Sequence, residues 1–353
     1  MVRYNYYMKN KYLIRMAISM VGAVILFMFV VNNSWMYKSP VAKVLAVHNN
    51  GNKQSIELRL ENGSDKGKTV YVKNNYDISQ VYDERYFKHD YVFLNDEYTG
   101  ITGIKRDYWV AAIFLFLLSS LITIGGKRGT YTSLCILGNI ALFGIIIYMN
   151  MRGVDILYMT IAGTVIFTFF VLLVVDGLSH RMMLSFAAAL LTTLLLSSLV
   201  MLLIWHTDID YDFLHFLPEP FTTTDANHFF LAQIIIGCLG AVIDVSVTIT
   251  AACMELIERT PSISNKSLLR SVREVADDIN GTMISVVLLT NIASTLPIFL
   301  ISMSNEISFR TVVSHDAYFY IVRSLTGMLS IVVAILVSTF ITSLVARKEL
   351  KHD

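Results

Sequence analysis

Residues 229–255 read FFLAQIIIGCLGAVIDVSVTITAACME, and this apolar run is long enough to cross a bilayer as one helix. Its small and polar residues recur every three or four positions and therefore share one face of that helix. They are Gln233, Gly237, Gly240, Asp244, Thr248, Ala251 and Glu255. The opposite face carries Ile, Val and Leu. We expect the apolar face to meet lipid and the other face to pack against protein or to line a polar cavity.

Asp244 is the unusual residue of this run. It follows Phe229 by 15 positions, which corresponds to about 22 Å along a helix and places it in the inner half of the hydrocarbon. An Asp at the centre of a membrane helix costs roughly 2.5–3.5 kcal/mol on insertion scales, and such residues usually have a buried partner or a function. We interpret Asp244 as a carboxylate that binds a proton or a cation. The alternative is an Asp that hydrogen-bonds neighbouring helices and fixes their packing.

Two sets of residues complete this hypothesis. Asn291, in the next apolar run, lies at a depth comparable to that of Asp244, although an interhelical hydrogen bond would also explain it. The residues expected to contact a substrate or an ion are Asp244, Thr248, Asn291 and Gln233. The glycines expected to let another helix approach closely are Gly237, Gly240 and Gly281. We assign no catalytic residue and no metal ligand.

Seven other apolar runs make the predicted fold mainly α-helical. Hydrophobic residues make up 55% of the chain and charged residues only 16%, and the apolar residues gather in long runs, which indicates a membrane protein. The run at 13–31 follows a basic N-terminus, and we interpret it as a retained signal-anchor helix. The others cover residues 108–125, 131–150, 155–176, 182–204, 282–302 and 318–345. The sequence therefore predicts a polytopic α-helical membrane protein with about eight transmembrane helices.

Charges in the short loops set the expected orientation. Lys127 and Arg128 follow the second run, Arg181 follows the fourth, and several Lys and Arg residues follow the sixth and the eighth. Because cytoplasmic loops carry an excess of Lys and Arg, we expect both termini in the cytoplasm and the protein in the cell membrane. We interpret Arg323, near the outer end of the last run, as a side chain that reaches the headgroups. The alternative is an intramembrane partner for its charge.

Residues 37–107 differ from the rest of the chain. Segments 41–47 and 55–60 alternate in the two-residue period of a half-buried strand, and Asn62-Gly63 supplies a turn. We predict a small, barrel-like extracytoplasmic β-domain here. The predicted domains are a cytoplasmic N-terminus with its anchor helix at 1–36, the β-rich domain at 37–107, and a seven-helix transmembrane domain at 108–353 with its GAxxD helix at 229–255.

Composition and motifs exclude several functions. The formal net charge of +1 gives no basic surface for nucleic acid. Cys135, Cys238 and Cys253 lie inside apolar runs without the spacing of zinc ligands. The sequence contains no nucleotide-binding, protease or haem-ligand motif, so we expect neither an enzyme nor a cofactor. A cluster of acidic and His residues at 206–219 is interpreted as a solvated loop, with a divalent-cation site as the alternative.

Two segments resemble the YibE/F-like family of multipass membrane proteins. One is residues 236–245, IGCLGAVIDV, followed by Glu255, and the other is residues 278–283, DINGTM. Asp277 stands where the family pattern has Arg. The resemblance implies a bacterial cytoplasmic-membrane protein, and it implies no particular activity.

The N-terminal region is similar to the same family. Residues 61–63, 66–68 and 89–92 look like the turn and strand-boundary motifs of its extracytoplasmic β-domain. Residues 285–287 and Asn291 depart from the family pattern after the GTM segment. The resemblance therefore implies an anchor, a β-domain and a helical domain in this order along the chain.

We expect a transporter or permease with a site around Asp244, and the small molecule or ion that it carries is unknown. The alternative is a membrane scaffold or receptor component that does not transport. Its β-domain would bind an extracellular partner, and its helices would assemble with further copies of the chain or with a related multipass subunit. The lipid bilayer is the expected partner in both cases. A water-accessible cavity that reaches Asp244 would favour transport, and a dry packed bundle would favour a scaffold.

Cysteine labelling with a reagent that cannot cross membranes tests the predicted topology. Thr69→Cys and Thr223→Cys are expected to react from outside, since both lie in outer segments. Thr130→Cys and Ser264→Cys lie in predicted cytoplasmic segments, and they are expected to react only after the membrane is permeabilised. A chain without its native cysteines provides the background. Labelling of Ser264→Cys from outside would contradict the topology.

Overall fold

The computed structural model describes residues 17, 20–25, 27–77, 83–206, 222–314 and 317–349. The acidic loop at 207–219 and the first part of the predicted anchor, residues 1–16, therefore lie outside the described residues. The chain divides into two compact units, Met1–Ser133 and Leu134–Asp353. The predicted boundary between the β-rich and the transmembrane domains, at residue 107, coincides with the first residue of a long helix.

Five strands form the N-terminal sheet. They are β1 (Val41–Asn50), β2 (Lys53–Leu60), β3 (Thr69–Asn75), β4 (Tyr91–Leu94) and β5 (Ile101–Ile104). Their order in the sheet is β3-β2-β1-β4-β5, and each neighbouring pair is antiparallel. Alternate side chains of β2, including Ile56, Leu58 and Leu60, are buried in the core of the sheet. The predicted β-structure is confirmed, although the described strands show no pairing of β3 with β5 that would close a barrel.

The turn after β2 is built around Asn62. Its Oδ1 accepts a hydrogen bond from the N–H of Val41 at 2.7 Å, and its Nδ2 donates to the carbonyls of Tyr37 and Ser39 at 3.1 and 3.0 Å. Gly63 follows with a φ of 79°, a left-handed conformation that glycine adopts without steric cost. The Asn-Gly turn therefore also fixes where β1 begins.

A buried lysine connects the sheet to two helices, α1 (Met20–Val31) and α2 (Asp107–Met151). Lys105, directly after β5, is fully buried. Its Nζ lies 2.9 Å from Asp107 Oδ1 and donates to the Val30 carbonyl at 2.9 Å. The Tyr37 hydroxyl donates to Asp107 Oδ2 at 2.6 Å, and burial together with this carboxylate raises the pKa of Tyr37. The buried ammonium thus has both an ionic partner and a backbone acceptor, as a buried charge requires.

Long helices make up the rest of the described chain. After α2 come α3 (Ile156–Asp176), α4 (His180–His206), α5 (Thr223–Arg259), α6 (Asn265–Ser304), the short α7 (Phe309–Ser314) and α8 (Tyr318–Glu349). Six of the described helices are long and apolar enough to cross a membrane. The mainly α-helical multipass fold is therefore confirmed, whereas the predicted number of about eight spans is not supported.

The difference in number arises at α1 and α2. The described part of α1 is too short to count as a span, and the predicted runs at 108–125 and 131–150 both lie within α2. α2 has a break at Gly126, where φ is 55° and ψ is −124°. A Cβ added to Gly129 would overlap the carbonyl oxygen of Leu121. Because eight residues rise about 12 Å in a straight helix, this contact means that the chain changes direction sharply at Gly126.

α5 is the central helix of the second unit. It packs against α3, α4, α6 and α8. In its most apolar stretch, 61% of the residues of α5 are buried. The corresponding share is 33% or less in the other five candidate spans. The run that the sequence singles out is therefore the helix around which the others are arranged.

Gly126→Ala is expected to destabilise the protein, because an L-residue rarely adopts the backbone conformation found there. Strain of this kind costs roughly 1–3 kcal/mol. The measurement is the thermal unfolding midpoint of the detergent-solubilised protein. Gly125→Ala is the matched control, since Gly125 has no left-handed φ and a Cβ there meets nothing within 4 Å. Equal midpoints for the two variants would contradict a bend that depends on Gly126.

Candidate functional site

The start of α5 and its apolar face fix the orientation of the helix. A capping box closes its first turn, in which Thr222 N–H donates to the Asp225 carboxylate at 2.7 Å and Asp225 N–H donates to Thr222 Oγ1 at 3.3 Å. Val242, Val245 and Ile249 are fully buried in the helical core. Because residues on one face of a helix recur every three or four positions, this packing leaves Asp244 on another face.

A cavity of about 440 Å³ adjoins Asp244. It lies between the second half of α2, α3 and α5, and most of its lining is Ile, Leu, Val and Phe. Asp244 is the ionisable residue among those that line it. Its side chain is exposed, and within the described ranges it forms no ion pair. The structure therefore places a carboxylate without a cationic partner at a mostly apolar cavity.

Three buried side-chain oxygens, on residues that line the same cavity, have no hydrogen-bond partner among the described residues. They are Asn139 Oδ1, Thr160 Oγ1 and Thr164 Oγ1. Thr160 is 0% exposed and Thr164 is 5% exposed, so neither hydroxyl has ready access to water from outside the cavity. A buried polar group left unpaired costs about 1–3 kcal/mol. These three oxygens are therefore enclosed by protein atoms rather than open to the cavity.

Two glycines, one on α2 and one on α3, each leave room for a side chain of the other helix. A Cβ at Gly138 would lie 2.5 Å from Phe170 Cε1, and a Cβ at Gly163 would lie 2.6 Å from Ile146 Cδ1. Both distances are shorter than ordinary carbon contacts. These two side-chain contacts thus depend on the absence of a Cβ at Gly138 and Gly163.

Of the four predicted ligand residues, Asp244 is the one that lines the cavity. Asp244 lines the cavity, whereas Gln233 and Thr248 are partly buried elsewhere on α5. The Thr248 hydroxyl donates to the backbone carbonyl of Asp244 at 2.9 Å. Asn291 donates from Nδ2 to the Val287 carbonyl at 2.8 Å. Thr248 therefore lies beside Asp244, and a ligand site shared by the four predicted residues stays a prediction.

Asn291 pairs with Arg323 instead. Arg323 Nε on α8 donates to Asn291 Oδ1 on α6 at 3.1 Å. The guanidinium also lies 5.9 Å from the centre of the Tyr320 ring. Of the two interpretations of Arg323, this geometry matches a partner within the helical unit rather than a free side chain directed to the headgroups. Asn291 is that partner.

The predicted packing glycines have different surroundings. A Cβ at Gly237 would lie 3.6 Å from Arg323 Cδ, which is an ordinary contact distance. A Cβ at Gly240 or Gly281 would meet nothing within 4 Å, and Gly240 lines the cavity. A close approach of another helix at Gly240 and Gly281 stays a prediction.

Sequence reasoning missed the contribution of α3. Thr160, Thr164 and Thr168 follow steps of four, with Gly163 on the same side, and all four residues are buried. This is the same periodicity that drew attention to α5, and it could have identified the second wall of the cavity. Asn139 on α2 is a single polar residue in an apolar run, and no periodic signal marks it.

The six long apolar helices indicate a multipass protein of a lipid bilayer. Residues 112–348 match the YibE/F-like protein family, and residues 35–106 match the YibE/F family N-terminal domain. The chain therefore belongs to the YibE/F-like family, and the resemblance of its α5 and α6 motifs is confirmed. Neither a curated protein nor a solved structure matches the chain significantly.

Asn291→Leu is expected to lower the free energy of unfolding by about 1.5–3 kcal/mol, because Arg323 loses its acceptor and hydrogen bonds to charged groups are worth that much. The measurement is the thermal unfolding midpoint in detergent. Thr290→Val is the control, since the Thr290 hydroxyl donates only to the Val286 carbonyl of its own helix, at 2.8 Å. If Asn291→Leu is no less stable than Thr290→Val, Arg323 does not depend on Asn291.

Proposed function

We infer that this protein is a membrane transporter in which Asp244 binds a proton, a cation or a polar substrate within the bilayer. The observation that carries this proposal is the cavity of about 440 Å³ beside an unpaired Asp244. A charged residue inside a membrane helix is costly, and such residues commonly mark ion pathways and proton relays. A cavity at this residue is the feature that separates a transporter from a dry, fully packed scaffold.

The proposed topology has eight spans, with both termini in the cytoplasm and the β-sheet on the outer side of a bacterial cytoplasmic membrane. The sharp change of direction at Gly126 supports counting α2 as two spans, one on each side of the break. The anchor that contains α1 would supply the remaining span. The Lys and Arg residues of the short loops support the orientation. In this topology Asp244 lies in the inner half of the membrane, past the middle of α5 from its outer end.

The second candidate function is a non-transporting scaffold or receptor component. It is favoured by the open surroundings of Gly281 on α6, where a helix of another copy or of a related subunit could approach. In this alternative the β-sheet binds an extracellular partner. Neither function requires the protein to be an enzyme, and we propose that it is not one.

The transport proposal is tested by reconstituting the native protein in proteoliposomes and measuring the uptake of a panel of ions and metabolites. Asp244→Asn keeps nearly the same shape but removes the charge, so we expect it to fold with a native-like unfolding midpoint and to lose uptake. Glu258→Gln is the control, because Glu258 is an exposed acid at the far end of the same helix, and its uptake should equal that of the native chain.

Two results would contradict a transporter with a site at Asp244. One is a native protein that moves nothing faster than protein-free vesicles. The other is native uptake by Asp244→Asn. The first result would favour the scaffold, and the second would leave transport intact but would assign it to another site.

A further inference from the structure

We propose that the cavity between α2, α3 and α5 binds an amphiphilic organic cation, that is, a molecule with a single positive charge at one end of an apolar chain. This inference rests on the proposed function and deepens it, because it names the class of substrate that Asp244 receives. The argument depends on the walls of the cavity, on the position of its charge and on the space beside that charge.

The walls of the cavity are apolar. Most lining residues are Ile, Leu, Val and Phe, and the oxygens of Asn139, Thr160 and Thr164 are enclosed by protein atoms. A metal ion that enters such a space loses its water, which is strongly unfavourable without replacement ligands. Hard cations such as Ca²⁺ and Mg²⁺ take about six or more oxygens, whereas one carboxylate supplies at most a bidentate pair. The walls therefore fit an alkyl chain better than a bare ion.

The charge of the lining selects a cationic ligand. Among the described residues that line the cavity, Asp244 is the ionisable one. Its side chain is exposed and forms no ion pair within the described ranges. A positive group beside it is attracted strongly, because apolar surroundings screen charges little. An anionic ligand would be repelled for the same reason, and a neutral one would leave the carboxylate unpaired.

Asp244 lies toward one end of an elongated cavity. On α5 the lining runs from Ile236 to Val247, which is about 16 Å along the helix. Asp244 is eight positions from Ile236 and three from Val247. A ligand with its charge at Asp244 therefore has about 12 Å of apolar wall on the side of Ile236. This asymmetry suits a molecule whose charge is at one end.

α3 supplies a second apolar wall at the same depth. It begins beside α5, because His228 Nδ1 lies 2.6 Å from Asp155 Oδ2, and the two helices pack against each other. Val171 follows Asp155 by 16 positions, as Asp244 follows His228. Val171 therefore lies level with Asp244, and Phe167 lies one turn nearer to the start of α3. Both line the cavity, so the chain of the ligand meets apolar side chains from both helices.

Gly240 keeps space open one turn before Asp244. It lines the cavity, and a Cβ added to it would meet nothing within 4 Å. Because residues four apart are neighbours on a helix surface, this space adjoins the carboxylate. A larger side chain at Gly240 would occupy the room that the proposal assigns to the apolar chain. The charge and the space can therefore be tested separately.

Equilibrium binding to the full chain in lipid nanodiscs tests the proposal without any transport. The probe is radiolabelled octyltrimethylammonium, and empty nanodiscs give the amount that dissolves in lipid. We expect saturable binding above this background. Octanol and octyl sulfate have the same chain without the positive charge, and tetramethylammonium has the head group without the chain. Since the site recognises both parts, each of these competitors should displace the probe about tenfold more weakly, or worse, than unlabelled octyltrimethylammonium does.

One pair of variants tests the charge. Asp244→Asn keeps nearly the same shape, and we expect it to weaken the binding of octyltrimethylammonium about tenfold or more, because loss of one member of a charge pair is costly. Glu258→Gln is the control, because Glu258 is an exposed acid at the far end of α5, and it should bind the probe as the native chain does.

A second pair of variants tests the space. Gly240→Leu fills the room beside Asp244, and we expect it to weaken the binding of octyltrimethylammonium about tenfold or more, since a steric clash excludes the chain. Gly144→Leu on α2 is the control, because a Cβ there also meets nothing within 4 Å and Gly144 is not among the described residues of the lining. The unfolding midpoint of each variant shows that it is folded. If Asp244→Asn does not fold, Gly240→Leu and the competitors carry the test.

Several results would overturn the proposal. They are the absence of saturable binding, displacement by octanol or by tetramethylammonium as effective as by octyltrimethylammonium, native affinity in Asp244→Asn, and native affinity in Gly240→Leu. Failure of this inference is distinct from failure of the transporter. Binding of the amphiphile without its uptake into proteoliposomes would retain the site and reject its transport, whereas uptake of other substrates without amphiphile binding would do the reverse.

Discussion

Hydrocarbon supplies no hydrogen-bond partners, and the polar side chains of the helical unit are arranged accordingly. Most hydroxyls donate to a carbonyl one turn earlier in their own helix, as Thr193 does to Ala189 and Thr339 does to Ile335. Unpaired buried hydroxyls also occur elsewhere, for example at Ser185. What distinguishes the group on α2 and α3 is that its residues line the same cavity as Asp244.

The central helix has two polar environments on one stripe. Gly237 contacts the stem of Arg323, whose guanidinium is held by Asn291. Asp244 comes seven residues later, about 10 Å along the helix axis, and lines the cavity instead. The positive and the negative side chain therefore have separate surroundings. The arginine has a polar partner within the protein, and the aspartate has space beside it.

The sequence predicts the parts of this structure that repeat. Long apolar runs identify the helices, and alternation identifies the strands, because each pattern follows from the period of its element. The stripe on α5 locates Asp244 for the same reason. The neighbours of Asp244 could not be predicted, since they depend on which faces of α2 and α3 meet α5, and the apolar runs of these helices carry no signal for that. Asn291 therefore looked like a partner by depth alone, although it lies on a helix that meets Arg323.

The predicted number of spans exceeds the six long apolar helices, because a run of apolar residues does not show that Gly126 interrupts a helix without ending it.

Lys105 has a mechanical consequence for the N-terminal unit. One ammonium group holds the end of α1 through Val30, the start of α2 through Asp107 and, by its place in the chain, the last strand of the sheet. The end of α1 thus meets β5 and α2, which lie far from it in sequence, at a single buried point. Because separating a buried, paired ammonium from its partners is costly, this junction resists a displacement of β5 away from the two helix ends.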